Sequence, residues 1–159
     1  MTKSLTRCLI LACGNTLRSD DGVGPWLAAW AEKQFHTDGG VRVLSRQQWT
    51  LELAEEIAAA KSVLFIDCSA ASSGGSVDLV EVHPAAAGQG HATHHQGAPE
   101  LLALARDLYG SVPRHALLLT MGADSTELGE EFSAAVTAAL PEACAKVEET
   151  VVRLLANAC

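Results

Sequence analysis

The chain has 159 residues, of which 48% are hydrophobic, and 11 basic against 19 acidic residues give it a net charge of −8. This length suits a single domain over residues 1–159 with a sizeable core, and the hydrophobic fraction excludes an intrinsically disordered segment. The excess of acidic residues argues against nucleic-acid binding, which depends on lysine and arginine contacts to phosphates. No apolar run approaches the roughly 20 residues that cross a bilayer, so we expect no membrane partner.

The cysteines and the N-terminal residues bear on the cellular compartment. The five cysteines include no Cys-x-x-Cys pair, and an odd count in a chain of this size favours reduced thiols and a cytoplasmic location. Lys3 and Arg7 precede an apolar stretch over residues 8–13, and together they superficially resemble an export signal. Because that stretch holds only about six residues, against roughly 7–15 in an export signal, we interpret it as a buried strand.

The first half of the chain alternates short apolar runs with helical patterns. Near-continuous hydrophobicity over residues 6–12 predicts a strand buried on both faces, and a glycine-rich polar loop follows it. Pro25 then opens a predicted helix, because its missing N–H costs little in the first turn. The next predicted elements are a strand over residues 41–44, a helix over residues 51–60 capped by Thr50, and a strand over residues 63–66 that ends at Asp67.

The second half continues this alternation. Residues 77–82 alternate apolar and polar side chains, which is typical of an edge strand with one wet face. A long loop over residues 83–98, rich in Ala, Gly and His, precedes a helix opened by Pro99 with its inward face formed by Leu101, Leu104, Ala105 and Leu108. The last predicted elements are a strand over residues 116–121, an irregular segment over residues 124–132, and a long helix capped by Ser133 whose apolar face carries Val136, Leu140, Cys144, Val147, Val151 and Leu154.

This order of elements predicts one three-layer α/β/α domain with a mostly parallel five-stranded sheet and an antiparallel edge strand. Ligands of such sheets bind outside the carboxyl ends of the strands. Polar residues fall there in three places: Asp20 and Asp21 after the first strand, Asp67 at the end of the third, and His94 with His95 in the long loop. We therefore expect all of them on one rim of the sheet.

Two carboxylates and an imidazole on one rim form a partial coordination shell with open positions. Such a shell suits a divalent metal that also touches a substrate, and nickel, zinc and manganese all fit the donor set. The structural alternative is that the aspartates cap helices or turns and that the histidines are simply solvated.

The loop over residues 14–24 reads GNTLRSDDGVG and holds three glycines between a strand and a helix. Backbone N–H groups in such a loop can bind an anion. The loop lacks the G-x-G-x-x-G spacing of a dinucleotide site, however, and its two aspartates would repel a pyrophosphate. A cation therefore fits this loop better than a nucleotide.

The segment LILACGNTLRSDDGVGPWLA resembles the opening of the hydrogenase maturation endopeptidases, which trim the C-terminal extension from the large subunit of nickel–iron hydrogenases. Their signature is an apolar strand followed by G-N-x-L-x-x-D-[DE]-G-x-G, and it matches at Gly14, Asn15, Leu17, Asp20, Asp21, Gly22 and Gly24. Three later segments are similar as well: the apolar strand over residues 64–67 that ends in aspartate, the spacing from His94 to Glu100, and residues 122–133, where Asp124 replaces the usual proline.

The resemblance implies roles for three residues. Asp21, Asp67 and His94 correspond to the family positions that contact nickel carried by the immature large subunit, and His95 is the alternative to His94. It also implies an endopeptidase whose partner is the hydrogenase large-subunit precursor and whose nickel is supplied by that precursor. The resulting hypothesis is metal-assisted hydrolysis, in which nickel positions the scissile peptide and polarises its carbonyl or activates a water, with a carboxylate as base.

The chain departs from the family pattern in two places, and the first of them leaves the type of hydrogenase open. The loop over residues 45–54 reads SRQQWTLELA and looks like the Gln-Leu-Thr-Pro-Glu-Leu-Ala variant of relatives that serve bidirectional soluble hydrogenases, a segment associated with the choice of substrate. Its residues Gln47, Gln48 and Trp49 are read equally well as an exposed lead-in to a helix. Asp21 is one methylene shorter than the common glutamate, which shifts a ligand oxygen by about 1 Å.

Other functions need features that the chain lacks or leaves open. A cysteine peptidase needs an activated thiolate, and Asp67 beside Cys68 disfavours one. A signalling receiver domain with Asp67 as phosphoacceptor needs a lysine after its last strand, and the four lysines lie elsewhere, at Lys3, Lys33, Lys61 and Lys146. A non-catalytic nickel carrier or chaperone built on the same rim stays open.

Overall fold

The computed structural model describes residues 5–86 and 97–158 and is built around a five-stranded sheet. The strands are β1 Thr6–Cys13, β2 Val41–Arg46, β3 Ala60–Ser69, β4 Val77–Glu81 and β5 His115–Gly122. They lie in the order β2-β1-β3-β5-β4, with β1, β2, β3 and β5 parallel and β4 antiparallel at the edge. The mostly parallel sheet with one antiparallel edge strand is the one that the sequence predicts.

Helices cover both faces of this sheet. They are α1 Val23–Gln34, α2 Leu53–Ala58, α3 Ala98–Tyr109 and α4 Ala134–Asn157. Helices α1 and α4 pack on one face, and α2 and α3 pack on the other. The three-layer α/β/α fold class is therefore confirmed. Within the described ranges, no helix has the length and apolar character of a membrane span.

Strand β1 is the centre of the core because both of its faces are covered. Its even-numbered side chains, Cys8 and Ile10 among them, pack with α1 and α4, whereas Leu9 and Leu11 pack with α2 and α3. All four are fully buried. Burying one aliphatic side chain contributes about 1.5–3 kcal/mol, so a near-continuous apolar run is what a strand with two covered faces requires.

The helix starts and ends differ from the predictions at several points. Helix α1 begins at Val23, before Pro25, and α2 covers only Leu53–Ala58. Thr50 does not cap α2: Glu52 is the N-cap residue, and the Thr50 hydroxyl donates to its carboxylate over 2.8 Å. Leu108 was predicted to face inward but is 63% exposed, because the last turn of α3 extends beyond the side chains that cover the rest of the helix.

The predictions for the long last helix hold. The hydroxyl of Ser133 accepts a hydrogen bond from the backbone N–H of Val136 over 3.3 Å, as an N-cap does. The predicted apolar face is buried at Val136, Val147, Val151 and Leu154, while Leu140 and Cys144 are half-buried against the same cluster. Residues 87–96 of the predicted long loop lie outside the described residues.

Candidate active site

A cavity of about 580 Å³ lies at the carboxyl edge of the parallel strands. Because β1, β2 and β3 run in parallel, the segments that follow them meet at this edge, which is where ligands of such sheets bind. The lining residues come from all three segments and from the start of α3: Cys13, Gly14, Asn15, Arg18, Asp21, Gln47, Gln48, Trp49, Asp67, Gly97 and Glu100. The structure thus brings together two of the site residues predicted from the sequence, Asp21 and Asp67.

Asp67 is held by hydrogen bonds to one of its two carboxylate oxygens. The register pairs Ala12 with Ile66, which places the last residue of β1, Cys13, beside Asp67. The Cys13 thiol donates to Asp67 Oδ1 over 3.2 Å, and the backbone N–H of Cys68 donates to the same oxygen over 2.7 Å. Asp67 Oδ2 accepts no hydrogen bond from residues 5–86 or 97–158, so it is available to a ligand in the cavity.

The surroundings of Asp67 disfavour its negative charge. Burial raises the pKa of this carboxyl, the hydrogen bonds from Cys13 and Cys68 offset part of that rise, and the charge of Asp21 raises the pKa further. Two carboxylates that repel each other beside an open cavity create a negative potential there. A cation between them would relieve the repulsion and favour both ionised forms.

Asp21 is positioned by a tightly packed glycine loop. Its Oδ2 accepts a hydrogen bond from the backbone N–H of Asn15 over 2.7 Å. Gly14 has a φ of +152°, and a Cβ added there would lie 2.0 Å from the carbonyl oxygen of Asp21. A Cβ at Gly24 would lie 2.3 Å from the carbonyl oxygen of Cys13. These glycines therefore let the loop fold closely against the end of β1.

Asp20 lies in the loop after β1, at the predicted rim, but its side chain does not line the cavity. Its side chain is fully buried and accepts hydrogen bonds from the backbone N–H groups of Asp124, Ser125 and Ser133 and from the Ser133 hydroxyl, over 2.7–2.9 Å. Burial opposes ionisation, but these hydrogen bonds outweigh it and lower the pKa of Asp20. Asp20 ties the loop after β1 to the loop between β5 and α4.

The cysteines near the cavity are poor nucleophiles. Burial, followed by the charges of Asp21 and Asp67, raises the pKa of Cys68 to about 12. Burial and the contact with Asp67 raise the pKa of Cys13 further still. Both thiols are therefore protonated at neutral pH, which disfavours a cysteine peptidase. Sequence reasoning missed Cys13, because its place beside Asp67 depends on the register of β1 against β3.

Trp49 forms part of the cavity wall and differs from its predicted environment. Gln47 and Gln48 are exposed, as a lead-in to a helix would be, but Trp49 is buried and packs edge to face on Phe65 with ring centroids 5.2 Å apart. Its indole N–H finds no hydrogen-bond partner in the described part of the chain.

His94 and His95 lie outside the described residues, so their positions relative to the cavity stay predictions. In sequence, His94 precedes Gly97 by three residues, and Gly97 lines the cavity. Across residues 5–86 and 97–158, no three His, Cys, Asp or Glu side chains are grouped so as to hold a metal ion. The described residues thus supply two carboxylates, which is a partial set of ligands.

Comparison with solved structures finds the same architecture in several proteins. The chain is similar to the hydrogenase maturating endopeptidase HybD from E. coli, with a TM-score of 0.72 and 19% identity over 92% of this chain and 93% of that one. It is also similar to the [NiFe] hydrogenase maturation protease HycI from Thermococcus kodakarensis, with a TM-score of 0.66 and 23% identity over 96% of this chain and 94% of the other. The HybD protein of the same organism gives a TM-score of 0.64 and 25% identity over 91% of this chain and 98% of its own.

The chain has the fold of the hydrogenase maturation endopeptidases. The resemblance predicted from the GNTLRSDDGVG segment therefore extends to the architecture of nearly the whole chain. No protein-family model matches the chain, and comparison with curated protein sequences gives no significant match.

Proposed function

We propose that this protein is an endopeptidase that removes the C-terminal extension from the nickel-loaded precursor of a [NiFe]-hydrogenase large subunit. The observation that carries the proposal is that Asp21 and Asp67 line one open cavity at the carboxyl edge of the sheet. Support comes from the similar structures, which are hydrogenase maturation endopeptidases and proteases.

In this proposal nickel belongs to the substrate and contacts Asp21, Asp67 and His94. The free oxygen of Asp67 and the mutual repulsion of the two carboxylates favour a divalent cation between them. A metal that arrives with ligands of its own needs only a partial set from the protease. The assignment of His94 rests on its match to the family motif and on its place three residues before Gly97, since three residues of extended chain span about 10 Å.

In addition to a bound metal, peptide hydrolysis needs a group that accepts a proton, and this chain supplies one. A carboxylate oxygen at the cavity that does not contact the metal is suited to accept a proton from an attacking water. Substrate-borne nickel would add polarisation of the scissile carbonyl and would restrict cleavage to loaded precursor.

We propose that the protein works in a reducing compartment, such as the cytoplasm that the sequence analysis favours. The cysteines at positions 8, 13, 68 and 144 are free thiols. The thiol of Cys13 takes part in the hydrogen bonding of Asp67, and oxidation would remove that donor.

The test is to mix the purified protein with nickel-loaded and nickel-free large-subunit precursor and to measure the masses of the products. We expect trimming of the loaded precursor alone. Asp21→Asn, Asp67→Asn and His94→Ala should each lower the trimming rate at least about 100-fold, in the range of a lost transition-state contact. The matched controls are Asp78→Asn, an exposed aspartate on β4, and His95→Ala, and both should keep the wild-type rate.

The possible results separate the alternatives. Equal trimming of both precursors would show that nickel is not recognised. Stoichiometric nickel binding without cleavage of any precursor would favour the nickel carrier. Loss of activity in His95→Ala but not in His94→Ala would exchange the roles of these two histidines.

A further inference from the structure

A second concave site lies beside the candidate active site, on the outer side of the loop that follows β1. It has a volume of about 290 Å³ and is lined by Thr16, Gly22, Pro25, Trp26, Glu130 and Phe132. We refer to it as the aromatic slot. Sites for small molecules span about 300–1,000 Å³, so a slot of this size takes a single side chain more readily than a cofactor.

The slot combines an aromatic wall with a carboxylate. Trp26 and Phe132 meet edge to face with ring centroids 6.4 Å apart, and Trp26 remains 40% exposed although it is a large apolar side chain. Glu130 is exposed and forms no ion pair with any residue in the described ranges. An aromatic surface next to an unpaired carboxylate matches a side chain with an apolar stem and a cationic head.

The walls of the slot are held in place by contacts that need no partner. The backbone N–H of Ser19 donates to the carbonyl of Gly129 over 2.7 Å, and the N–H of Gly129 donates to the carbonyl of Leu17 over 2.9 Å. The hydrogen bonds of Asp20 join the same two loops from the buried side. Because these loops are already fixed, little ordering cost remains for a bound side chain.

The charge around the slot selects a cation. Glu130 lines the slot, Glu131 follows it on the exposed loop, and the chain carries a net charge of −8. An acidic side chain would be repelled, and an aliphatic one would gain nothing from the carboxylate. Arginine fits best, because its planar guanidinium stacks on aromatic rings and pairs with carboxylates.

The slot and the candidate active site share one wall. Asn15 and Arg18 line the active-site cavity, whereas Thr16, between them in sequence, lines the slot. Since consecutive Cα atoms lie 3.8 Å apart, one protein substrate can reach both openings.

We propose that the aromatic slot binds an arginine side chain of the precursor protein while its nickel-bearing segment occupies the cavity of Asp21 and Asp67. This inference rests on the proposed function. The slot then contributes to the affinity for the substrate and not to the chemistry, because no slot residue lines the active-site cavity.

The kinetic test compares slot variants with matched surface variants in the trimming of nickel-loaded precursor. Trp26→Ala should raise KM about 5- to 30-fold and Glu130→Gln about 2- to 5-fold, each with kcat unchanged. Tyr109→Ala, which removes another exposed aromatic ring, and Glu127→Gln should leave both constants unchanged. If Trp26→Ala fails to fold, Glu130→Gln still tests the slot, because Glu130 is exposed and forms no ion pair within the described residues. Unchanged KM in both slot variants would overturn the inference.

A second measurement does not depend on proteolysis. In an NMR titration with N-acetyl-arginine amide, the indole N–H signal of Trp26 should shift, and it should not shift with N-acetyl-leucine amide. Glu130→Gln should weaken the response, and Glu127→Gln should not. If this selectivity is seen but no precursor is cleaved, arginine binding by the slot is supported and the proposed function is contradicted. If precursor is cleaved but Trp26 responds equally to both amides, the proposed function is supported and arginine binding by the slot is contradicted.

Discussion

Asp20 and Asp67 are two aspartates at the carboxyl edge of the same sheet, and their surroundings are opposite. Asp20 is fully buried, and both of its carboxylate oxygens accept hydrogen bonds. Asp67 is half-buried beside a cavity, and the hydrogen bonds that it accepts within residues 5–86 and 97–158 reach one oxygen. The pKa of Asp20 is lowered in spite of its burial, whereas burial raises the pKa of Asp67.

The difference shows that burial alone does not decide the state of a carboxyl group. When donors satisfy both oxygens, the ionised form is stabilised and the group becomes part of the framework. When one oxygen is left without a donor and a second carboxylate lies nearby, the charged form is poorly supported until a ligand enters. Perturbation of that second kind is typical of functional sites.

The largest expected effect is loss of the Asp20 carboxylate. Asp20→Ala leaves three backbone N–H groups and the Ser133 hydroxyl without their acceptor, so we expect a loss of about 3–5 kcal/mol in the free energy of unfolding. Urea unfolding at pH 7 measures this change. Asp78→Ala, at an exposed aspartate, should stay within about 0.5 kcal/mol of the wild type.

The same variant has a defined pH dependence. Because folding lowers the pKa of Asp20, its stabilisation is complete above the ordinary value of 3.8 and is lost as the pH falls through the folded pKa. The difference in the free energy of unfolding between wild type and Asp20→Ala should therefore become smaller only at strongly acidic pH. A gap that stayed constant down to complete acid unfolding would show that ionisation of Asp20 is unimportant.

A smaller effect is expected at Gly14, which follows β1 and packs against the backbone of Asp21. Gly14→Ala places a methyl group 2.0 Å from the carbonyl oxygen of Asp21 at a φ of +152°, so the loop must shift. We expect a loss of about 1–3 kcal/mol in the free energy of unfolding and a lower trimming rate. Gly39→Ala is the matched control, because a Cβ there meets no atom within 4 Å. Equal stability of the two variants would contradict the close packing of this loop.

The smallest effect is a gain in stability at the candidate site. Asp67→Asn keeps an oxygen that can accept from Cys13 and Cys68 and removes a poorly solvated charge beside Asp21. We expect the variant to unfold at a higher temperature at pH 7, by an amount that corresponds to about 0.5–2 kcal/mol, while trimming is lost.

The sign of the pH dependence at Asp67 is opposite to that at Asp20. Folding raises the pKa of Asp67, so the Asp67 carboxyl does not destabilise the folded state below the ordinary pKa of 3.8. It lowers the free energy of unfolding as the pH rises through the folded pKa. The advantage of Asp67→Asn should therefore vanish in acid, as thermal melts over a pH series would show. A variant less stable than the wild type at pH 7 would mean that the Asp67 carboxylate stabilises the fold.

Much of the fold could be predicted because it follows from local patterns. The apolar run of β1, the alternation along β4 and the Ser133 cap each depend on a few consecutive residues, and each prediction holds. Two predictions about single side chains failed. The Thr50 hydroxyl bonds to Glu52 and does not cap α2, and Leu108 lies on the exposed last turn of α3.

The candidate site divides in the same way. The positions of Asp21 and Asp67 after buried strands are visible in the sequence, and parallel strands bring such positions to one edge. The sequence shows Asp20 and Asp21 as equivalent neighbours, yet one is enclosed by the loop before α4 and the other faces the cavity. Cys13 became part of the site only through its register against β3.

By itself, the sequence determined the order of strands and helices, their apolar faces and the glycine loop, because hydrophobic periodicity and backbone freedom act over short distances along the chain. Only the tertiary structure decided which aspartate is enclosed by hydrogen bonds and which line the cavity, which thiol touches Asp67, and that Trp26 and Glu130 share a slot. Hydrogen bonding and desolvation act between groups that are close in space, and for Asp20 those groups lie more than 100 residues away in sequence.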